Sequence, residues 1–173
     1  QYGGISYRRL ERGEQLHWPC PNEDHPGTKI LHQGKFTRGK GRFFPVEFIE
    51  PAEKPDKNYP FILTTGRMLY HFHTGTMTRK SQGLNQIVPG PYVELNPDDA
   101  KKLRIKDGSK VRVKSRRGRI VVTAKITDRV DEGVVFIPFH FYEGAANVLT
   151  NPALDPQAKI PELKVCAVKV EKL

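Results

Sequence analysis

Residues 64–79 carry the side chains expected of a surface that binds an anionic ligand. The segment TTGRMLYHFHTGTMTR follows the short apolar run Pro60–Leu63 and contains two glycines, five threonines, two histidines and two arginines. Backbone amides freed at the glycines, the threonine hydroxyls and the forked guanidinium of Arg67 are all hydrogen-bond donors. This composition predicts a site that holds phosphate groups without a metal ion.

The order of residues in this segment resembles a known cofactor-binding motif. Its Thr-Gly-Arg…His-x-His-Thr-Gly pattern is similar to the molybdopterin-dinucleotide-binding segment of the molybdenum and tungsten oxidoreductases related to dimethyl sulfoxide reductase. A second run within residues 147–168, NVLT…LDP…PELKVCAV, is similar to the closing motif of the same family. The resemblance covers residues 59–173 and implies a six-stranded double-psi β-barrel.

The resemblance also assigns roles to individual residues. Gly66 would allow close approach of the backbone to the dinucleotide, and Arg67 would be the charged donor. Asn147 would present a donor and an acceptor to a guanine or pterin edge, and Lys164 would supply a point charge. The expected cofactor-binding residues are Thr65, Gly66, Arg67, Leu69, His71, His73, Thr74, Gly75, Asn147 and Lys164, and Phe139 matches a position on the substrate side.

Simpler interpretations exist for several of these residues. Taken alone, Gly66 would be a turn glycine and Asn147 would cap a turn. His71 and His73 would share a face if they lay on a strand, but they lack a third Cys, Asp or Glu ligand nearby, so we predict no metal site. Contacts to the cofactor or a satisfied buried imidazole are the alternatives for this pair. We expect His140 to be structural rather than a proton relay.

The N-terminal motifs GGISY and LHWPCP look most like those of formate dehydrogenase catalytic (alpha) subunits, with assimilatory or periplasmic nitrate reductases as the alternative. Such formate dehydrogenases use a metal-bound Cys or selenocysteine, a neighbouring His and an N-terminal iron–sulfur cluster. None of those sequence contexts occurs here, so no catalytic residue is expected in this chain. A stand-alone barrel that serves as a binding module is a further alternative from a different functional class.

The resemblance implies the remaining components of the parent enzyme. We expect a bis-molybdopterin guanine dinucleotide cofactor with Mo or W, and a 4Fe-4S cluster held outside these residues. The expected partners are the other domains of the parent catalytic subunit and electron-transfer subunits. The first residue, Gln1, is not an initiator methionine, which predicts a fragment or a processed product.

Composition limits the other function classes. The net charge of +10 is spread along the chain among acidic residues, without the interleaved aromatics of an RNA-recognition surface, so we predict no nucleic-acid partner. No apolar run approaches about 18 residues, which predicts no membrane insertion. Cys20 and Cys166 are too few and too far apart for a disulfide framework and fit a reducing, cytoplasmic location.

Residues 1–58 predict an extended N-terminal arm and connector that pack on other parts of the parent chain. A short helix is expected within Ile5–Leu16 and a strand at Phe43–Ile49, followed by the polar connector Pro51–Asn58.

Residues 59–173 predict a mainly β domain with short helices. Asn96 and Pro97 have the types expected at a helix start, and the apolar alternation on either side of Arg116-Arg117-Gly118 predicts a hairpin. The expected strands are Pro60–Thr64, Tyr92–Leu95, Lys110–Ser115, Arg119–Ile126, Val134–Pro138 and Val165–Val170. Many short strands with paired edges indicate a small closed barrel.

Overall fold

The computed structural model describes all residues, 1–173, as two compact units, Gln1–Phe48 and Ile49–Leu173. In the first unit, helix α1 (Tyr7–Glu11) begins after Ser6, whose hydroxyl accepts a hydrogen bond from Arg9 N–H. The buried Arg9 guanidinium organises this unit, because it donates to the carbonyls of Gly4 and His25 at 2.9 and 3.1 Å. The sequence predicted the helix but not this central arginine.

The predicted strand at Phe43–Ile49 is wrong. These residues have no strand partner, and Phe43, Phe48 and Ile49 are strongly exposed. Apolar and β-branched residues favour an extended backbone, but a strand also needs a neighbour to receive its hydrogen bonds. Pro45 further removes one donor from the segment.

The second unit is a closed six-stranded barrel, which confirms the predicted fold. Around the barrel the strand order is β1-β5-β2-β4-β3-β6. The strands are β1 (Phe61–Gly66), β2 (Tyr92–Leu95), β3 (Lys110–Lys114), β4 (Arg119–Ile126), β5 (Val134–Pro138) and β6 (Cys166–Lys172). Two further α-helices are α2 (Gln82–Ile87) and α3 (Pro97–Leu103), and three short 3-10 helices cover Thr78–Lys80, Tyr142–Gly144 and Ala146–Val148.

The strand pairing has an internal two-fold relation. β1 is parallel to β5 and β2 is parallel to β4, whereas the other four pairings are antiparallel. Exchanging β1, β2 and β3 with β4, β5 and β6 leaves this set of pairings unchanged, as expected for a double-psi barrel. Alternate side chains, such as Leu63, Val113 and Val122, point inward and are fully buried in the core.

Local signals explain the boundaries of α3 and of the hairpin. The Asn96 side chain accepts a hydrogen bond from Asp98 N–H at 3.0 Å, and Arg104 ends α3 in the left-handed conformation. The β3–β4 hairpin closes with Ser115 N–H donating to Gly118 C=O at 2.9 Å. Both features match the predicted cap and turn. Helix α2 was not predicted.

The second unit begins at Ile49, ten residues before the predicted domain start at residue 59, and so includes the connector. Glu53 accounts for the difference, because its carboxylate accepts hydrogen bonds from Arg116, Arg117 and the backbone N–H of Ala167. Connector residues around Glu53 are thereby bound to the barrel.

Candidate functional site

One end of the barrel, called here the site end, gathers the predicted cofactor-binding residues. β1 and β5 are parallel and finish together at Gly66 and Pro138. β6 is antiparallel to β1 and begins at this end with Cys166. The residues that follow β1 and β5, and those that precede β6, are therefore neighbours although they are far apart in sequence.

Thr65 at the end of β1 forms two hydrogen bonds with the residues that precede β6. The Thr65 hydroxyl donates to the carbonyl of Leu163 at 2.8 Å, and the Lys164 ammonium donates to the carbonyl of Thr65. Thr65 is buried, and its hydroxyl joins β1 to the segment before β6 rather than facing outward, whereas Lys164 is exposed. Of this pair, Lys164 is the group available to a ligand.

Gly66 is required by close packing at the end of β1. A Cβ atom there would lie 2.6 Å from Cε2 of Phe136, a distance that real Cβ contacts do not show. The Gly66 carbonyl accepts a hydrogen bond from Phe139 N–H at 3.1 Å, which places Phe139 beside it. Phe139 packs partly against the barrel core.

Arg67 and Leu69 project from the segment that follows β1. Arg67 is exposed and forms no hydrogen bond or ion pair within the chain, which leaves its five N–H donors available. Leu69 is 88% exposed. These two residues therefore offer a charge and an apolar contact to a partner molecule.

His71 and His73 have different environments. The His71 ring is buried, with Nδ1 3.1 Å from the Thr78 hydroxyl and Nε2 3.2 Å from the Val88 carbonyl oxygen. His73 is exposed and adopts a φ of 47°. The possible pair on one strand face is not formed, and His71 corresponds to the satisfied buried imidazole.

The end of the segment turns at Thr74 and Gly75. The Thr74 and Thr76 hydroxyls lie 3.2 Å apart, and Thr74 is exposed. Gly75 is buried with a φ of 75°, a conformation that favours glycine. A Cβ atom at Gly75 would approach the Arg79 side chain to 2.8 Å. Gly75 thus makes room for Arg79 rather than exposing an amide.

Arg79 links this segment to Glu143, which follows β5, and this contact was not predicted from the sequence. Its guanidinium makes two hydrogen bonds of 2.7 Å to the Glu143 carboxylate and lies over the rings of Phe141 and Tyr142. The hydrogen bonds from Arg79 lower the pKa of Glu143 against the opposing effect of burial. Because 64 residues separate the two partners, no local pattern indicates their pairing.

Asn147 lies in the 3-10 helix Ala146–Val148, beside the β3–β4 turn. Val148 contacts this turn so closely that a Cβ atom at Gly118 would lie 2.5 Å from Val148 Cγ1. Asn147 is exposed; its carbonyl accepts a bond from the Thr150 hydroxyl, and its amide group has no partner within the chain. The turn lies at the site end, so Asn147 is on the same end of the barrel as Arg67 and Lys164.

A cleft of about 1270 Å³ runs along the outside of the barrel from this end. Among the predicted site residues, only Arg67 and Leu69 line it; the other nine do not. Within the cleft, the buried Glu94 carboxylate pairs with Lys125 at 3.1 Å and with Arg129 at 3.6 Å. Thr65, His71 and Gly75 are buried, so only the other predicted residues can contribute to a surface at the barrel end, and among these Arg67 and Leu69 also line the cleft.

A family model described as "Molydopterin dinucleotide binding domain" matches residues 61–167, which include β1, the segment after it and the start of β6. The chain belongs to this family. The family predicted from the Thr-Gly-Arg and NVLT motifs is therefore confirmed, and the matched range includes every predicted site residue.

The chain is similar to formate dehydrogenase and nitrate reductase catalytic subunits, the two alternatives predicted from the N-terminal motifs. The F420-dependent formate dehydrogenase subunit alpha of Methanocaldococcus jannaschii is 58% identical over 100% of this chain and 26% of the relative. The assimilatory nitrate reductase catalytic subunit of Bacillus subtilis is 40% identical over 98% of this chain and 24% of the relative. The chain thus spans about a quarter of the length of these relatives.

A solved structure supports the fold. Acetylene hydratase from Pelobacter acetylenicus matches with a TM-score of 0.58 at 22% identity, over 66% of this chain and 18% of that chain.

None of the helices in the chain combines the length and apolar character required to cross a bilayer.

Proposed function

We propose that this chain holds a molybdopterin guanine dinucleotide across the site end of its barrel, as part of the catalytic subunit of a formate dehydrogenase. The observation that carries the proposal is the convergence of Arg67, Asn147 and Lys164 on one barrel end within a chain of this family. Arg67 and Asn147 have side-chain donors without partners in the chain, which suits a ligand with phosphate and amide groups.

The surroundings of these donors fit the rest of such a ligand. Tyr70 and Phe72 are exposed on the same segment, and exposed aromatic rings can stack on a guanine or pterin. Lys164 and Arg67 supply positive charge, which a pyrophosphate requires. Phe139 lies next to Gly66, and the family resemblance implies that it is on the substrate side.

The proposed parent enzyme oxidises formate to carbon dioxide with the transfer of two electrons. When bound, the bis-molybdopterin guanine dinucleotide would supply the Mo or W centre for that reaction, and a 4Fe-4S cluster would be held by the parent outside these residues. The chain's own residues bind and orient the dinucleotide. We place residues 1–48 against the remaining domains of a cytoplasmic catalytic subunit that passes electrons to partner subunits.

Replacing Arg67 tests the dinucleotide site. In the complete enzyme, Arg67→Ala removes charge-assisted hydrogen bonds worth roughly 1.5–3 kcal/mol each, so pterin retention should fall by about one to two decades per bond lost. The melting temperature should change little, because Arg67 makes no contact that stabilises the barrel. Lys106→Ala, an exposed cation at the opposite end, is the control. Full pterin content in Arg67→Ala, or an equal loss in the control, would contradict the site.

A nitrate reductase parent is the second candidate, supported by the 40% identity to the Bacillus subtilis relative. The higher identity to formate dehydrogenase alpha subunits favours formate. Assays of the purified complete enzyme with formate and a dye acceptor, and with nitrate and a reduced dye, distinguish the two reactions. The 173-residue chain alone should catalyse neither.

A further inference from the structure

His140 connects two separated main-chain groups of the segment that follows β1. Its Nε2 accepts a hydrogen bond from Met68 N–H at 2.9 Å, and its Nδ1 contacts the carbonyl oxygen of His73. The residue is only 1% exposed. One rigid side chain therefore fixes both ends of residues 68–73.

The two partners determine the protonation state of the ring. A carbonyl oxygen can only accept a hydrogen bond, so Nδ1 must carry a proton. A backbone N–H can only donate, so Nε2 must carry none. Both bonds form together only with a neutral imidazole protonated on Nδ1. A proton on Nε2 would set two donors against each other at Met68.

The surroundings keep this imidazole neutral near pH 7. Burial lowers the pKa of His140, the bond to the His73 carbonyl opposes this effect, and positive charge on His71, Arg67 and His73 lowers the pKa further. His71 and His73 belong to residues 68–73, the segment that His140 holds, and Arg67 directly precedes it. A proton on His140 would therefore be repelled by charge at the site as well as costing the bond to Met68.

Apart from His140, residues 68–73 are held mainly near their middle, where the buried His71 ring contacts Thr78 and Val88 and Phe72 N–H donates to the Thr78 hydroxyl. Leu69 and Phe72 are exposed, and His73 adopts a φ of 47°, a left-handed conformation that a non-glycine residue keeps only with support from its surroundings. We propose that His140 is a positioning residue: as a neutral imidazole it holds residues 68–73 in the conformation that receives the dinucleotide, and it releases them when protonated. This inference rests on the proposed function for the identity of the ligand.

The anchoring step can be tested without the cofactor. In the ¹⁵N-histidine-labelled chain, NMR should show His140 with a protonated Nδ1 and an unprotonated Nε2, a state that persists below the ordinary histidine pKa of about 6.5. Amide exchange should show protection of Met68 that is lost in His140→Phe, which keeps an aromatic ring but no nitrogen. A proton on Nε2 near pH 7, or undiminished Met68 protection in His140→Phe, would overturn the proposal.

The effect on the ligand is tested in the complete, cofactor-loaded enzyme. Pterin retention should fall about tenfold as the pH is lowered through the His140 titration, the amount expected for one lost hydrogen bond. His140→Gln, whose amide oxygen can accept from Met68 without titrating, should make retention nearly independent of pH, whereas His17→Gln, at an exposed site, should retain the wild-type profile.

The two measurements distinguish failure of the anchor from failure of the site. An unchanged pH profile in His140→Gln would overturn the positioning role, even with the expected tautomer. If Met68 protection follows His140 as described but no His140 or Arg67 variant alters pterin retention, the dinucleotide does not bind this segment, and the proposed site is refuted together with the positioning role.

Discussion

Glu53 should contribute to stability in a way that depends strongly on pH. Its carboxylate accepts hydrogen bonds from Arg117 at 2.7 and 2.9 Å, from the N–H of Ala167 at 3.0 Å and from Arg116. Burial alone would raise the pKa of Glu53, but hydrogen bonds from Arg117, Ala167 and Arg116 outweigh it and lower the pKa from 4.5 to about 2. The ionised form is therefore strongly favoured in the folded chain.

The size of this contribution follows from the pKa values. A pKa that falls from 4.5 to about 2 on folding corresponds to about 3 kcal/mol of stabilisation at neutral pH. Arg116 is 40% exposed, so solvent screening reduces its share. We expect Glu53→Gln, an uncharged isostere, to lower the free energy of unfolding by about 2–3 kcal/mol near pH 7.

The sign of the pH dependence is fixed by the depressed pKa. The stabilisation is complete above a pH of about 4.5 and is lost as the pH falls toward about 2, because the unfolded carboxyl takes up its proton first. Denaturant unfolding of wild type and Glu53→Gln across this range measures the difference at each pH. That difference should shrink toward zero at the acidic end of the range.

A matched control separates this buried cluster from an ordinary surface pair. Glu132→Gln removes an exposed ion pair with Lys102 and should cost no more than about 1 kcal/mol at any pH. Equal effects of the two substitutions near neutral pH, or a Glu53→Gln difference that stays constant on acidification, would refute the reasoning.

Two other substitutions test packing at the site end. Gly66→Ala should destabilise the chain by about 1–3 kcal/mol in chemical unfolding, because the new Cβ atom would meet the Phe136 ring. The control is Gly83→Ala in α2, where a Cβ atom meets nothing within 4 Å, and it should be neutral or stabilise by up to about 1 kcal/mol. Equal effects of the two substitutions would contradict this packing argument. Arg79→Ala should lower the free energy of unfolding by about 1–2 kcal/mol. Exchange mass spectrometry should show faster amide exchange at Gly75 and Ser81 with the barrel strands still protected, and an equal loss of protection in the strands would contradict this.

The strands could be predicted from the sequence because their signals are local. Alternating Val, Ile and Ala residues in β4, and the Asn96-Pro97 start of α3, act within a few neighbouring positions, and the structure has both elements. The segment Phe43–Ile49 has the same local signal, yet it lacks a partner strand, so local pattern alone was misleading there. A strand forms only when two segments pair, and the local pattern of residues 43–49 carries no information about a second segment.

The candidate site could be predicted only in part for a related reason. The motifs named Arg67, Asn147 and Lys164, which are exposed at one barrel end. They did not indicate that His140 accepts a hydrogen bond from Met68 N–H, 72 residues away. Nor did they indicate that the Thr65 hydroxyl donates to the Leu163 carbonyl, 98 residues away. Such bonds depend on which strands meet after folding. The anchors of the site are therefore visible only in three dimensions.

The strand order of the barrel also determines when the site can exist during synthesis. Every one of the six strand pairings joins a strand of the first half, β1–β3, to a strand of the second half, β4–β6. A nascent chain that ends before β4 thus contains no two strands that pair with each other. Since β6 completes the wall beside β1, the surface carrying Arg67 and Lys164 forms only after the last strand has left the ribosome.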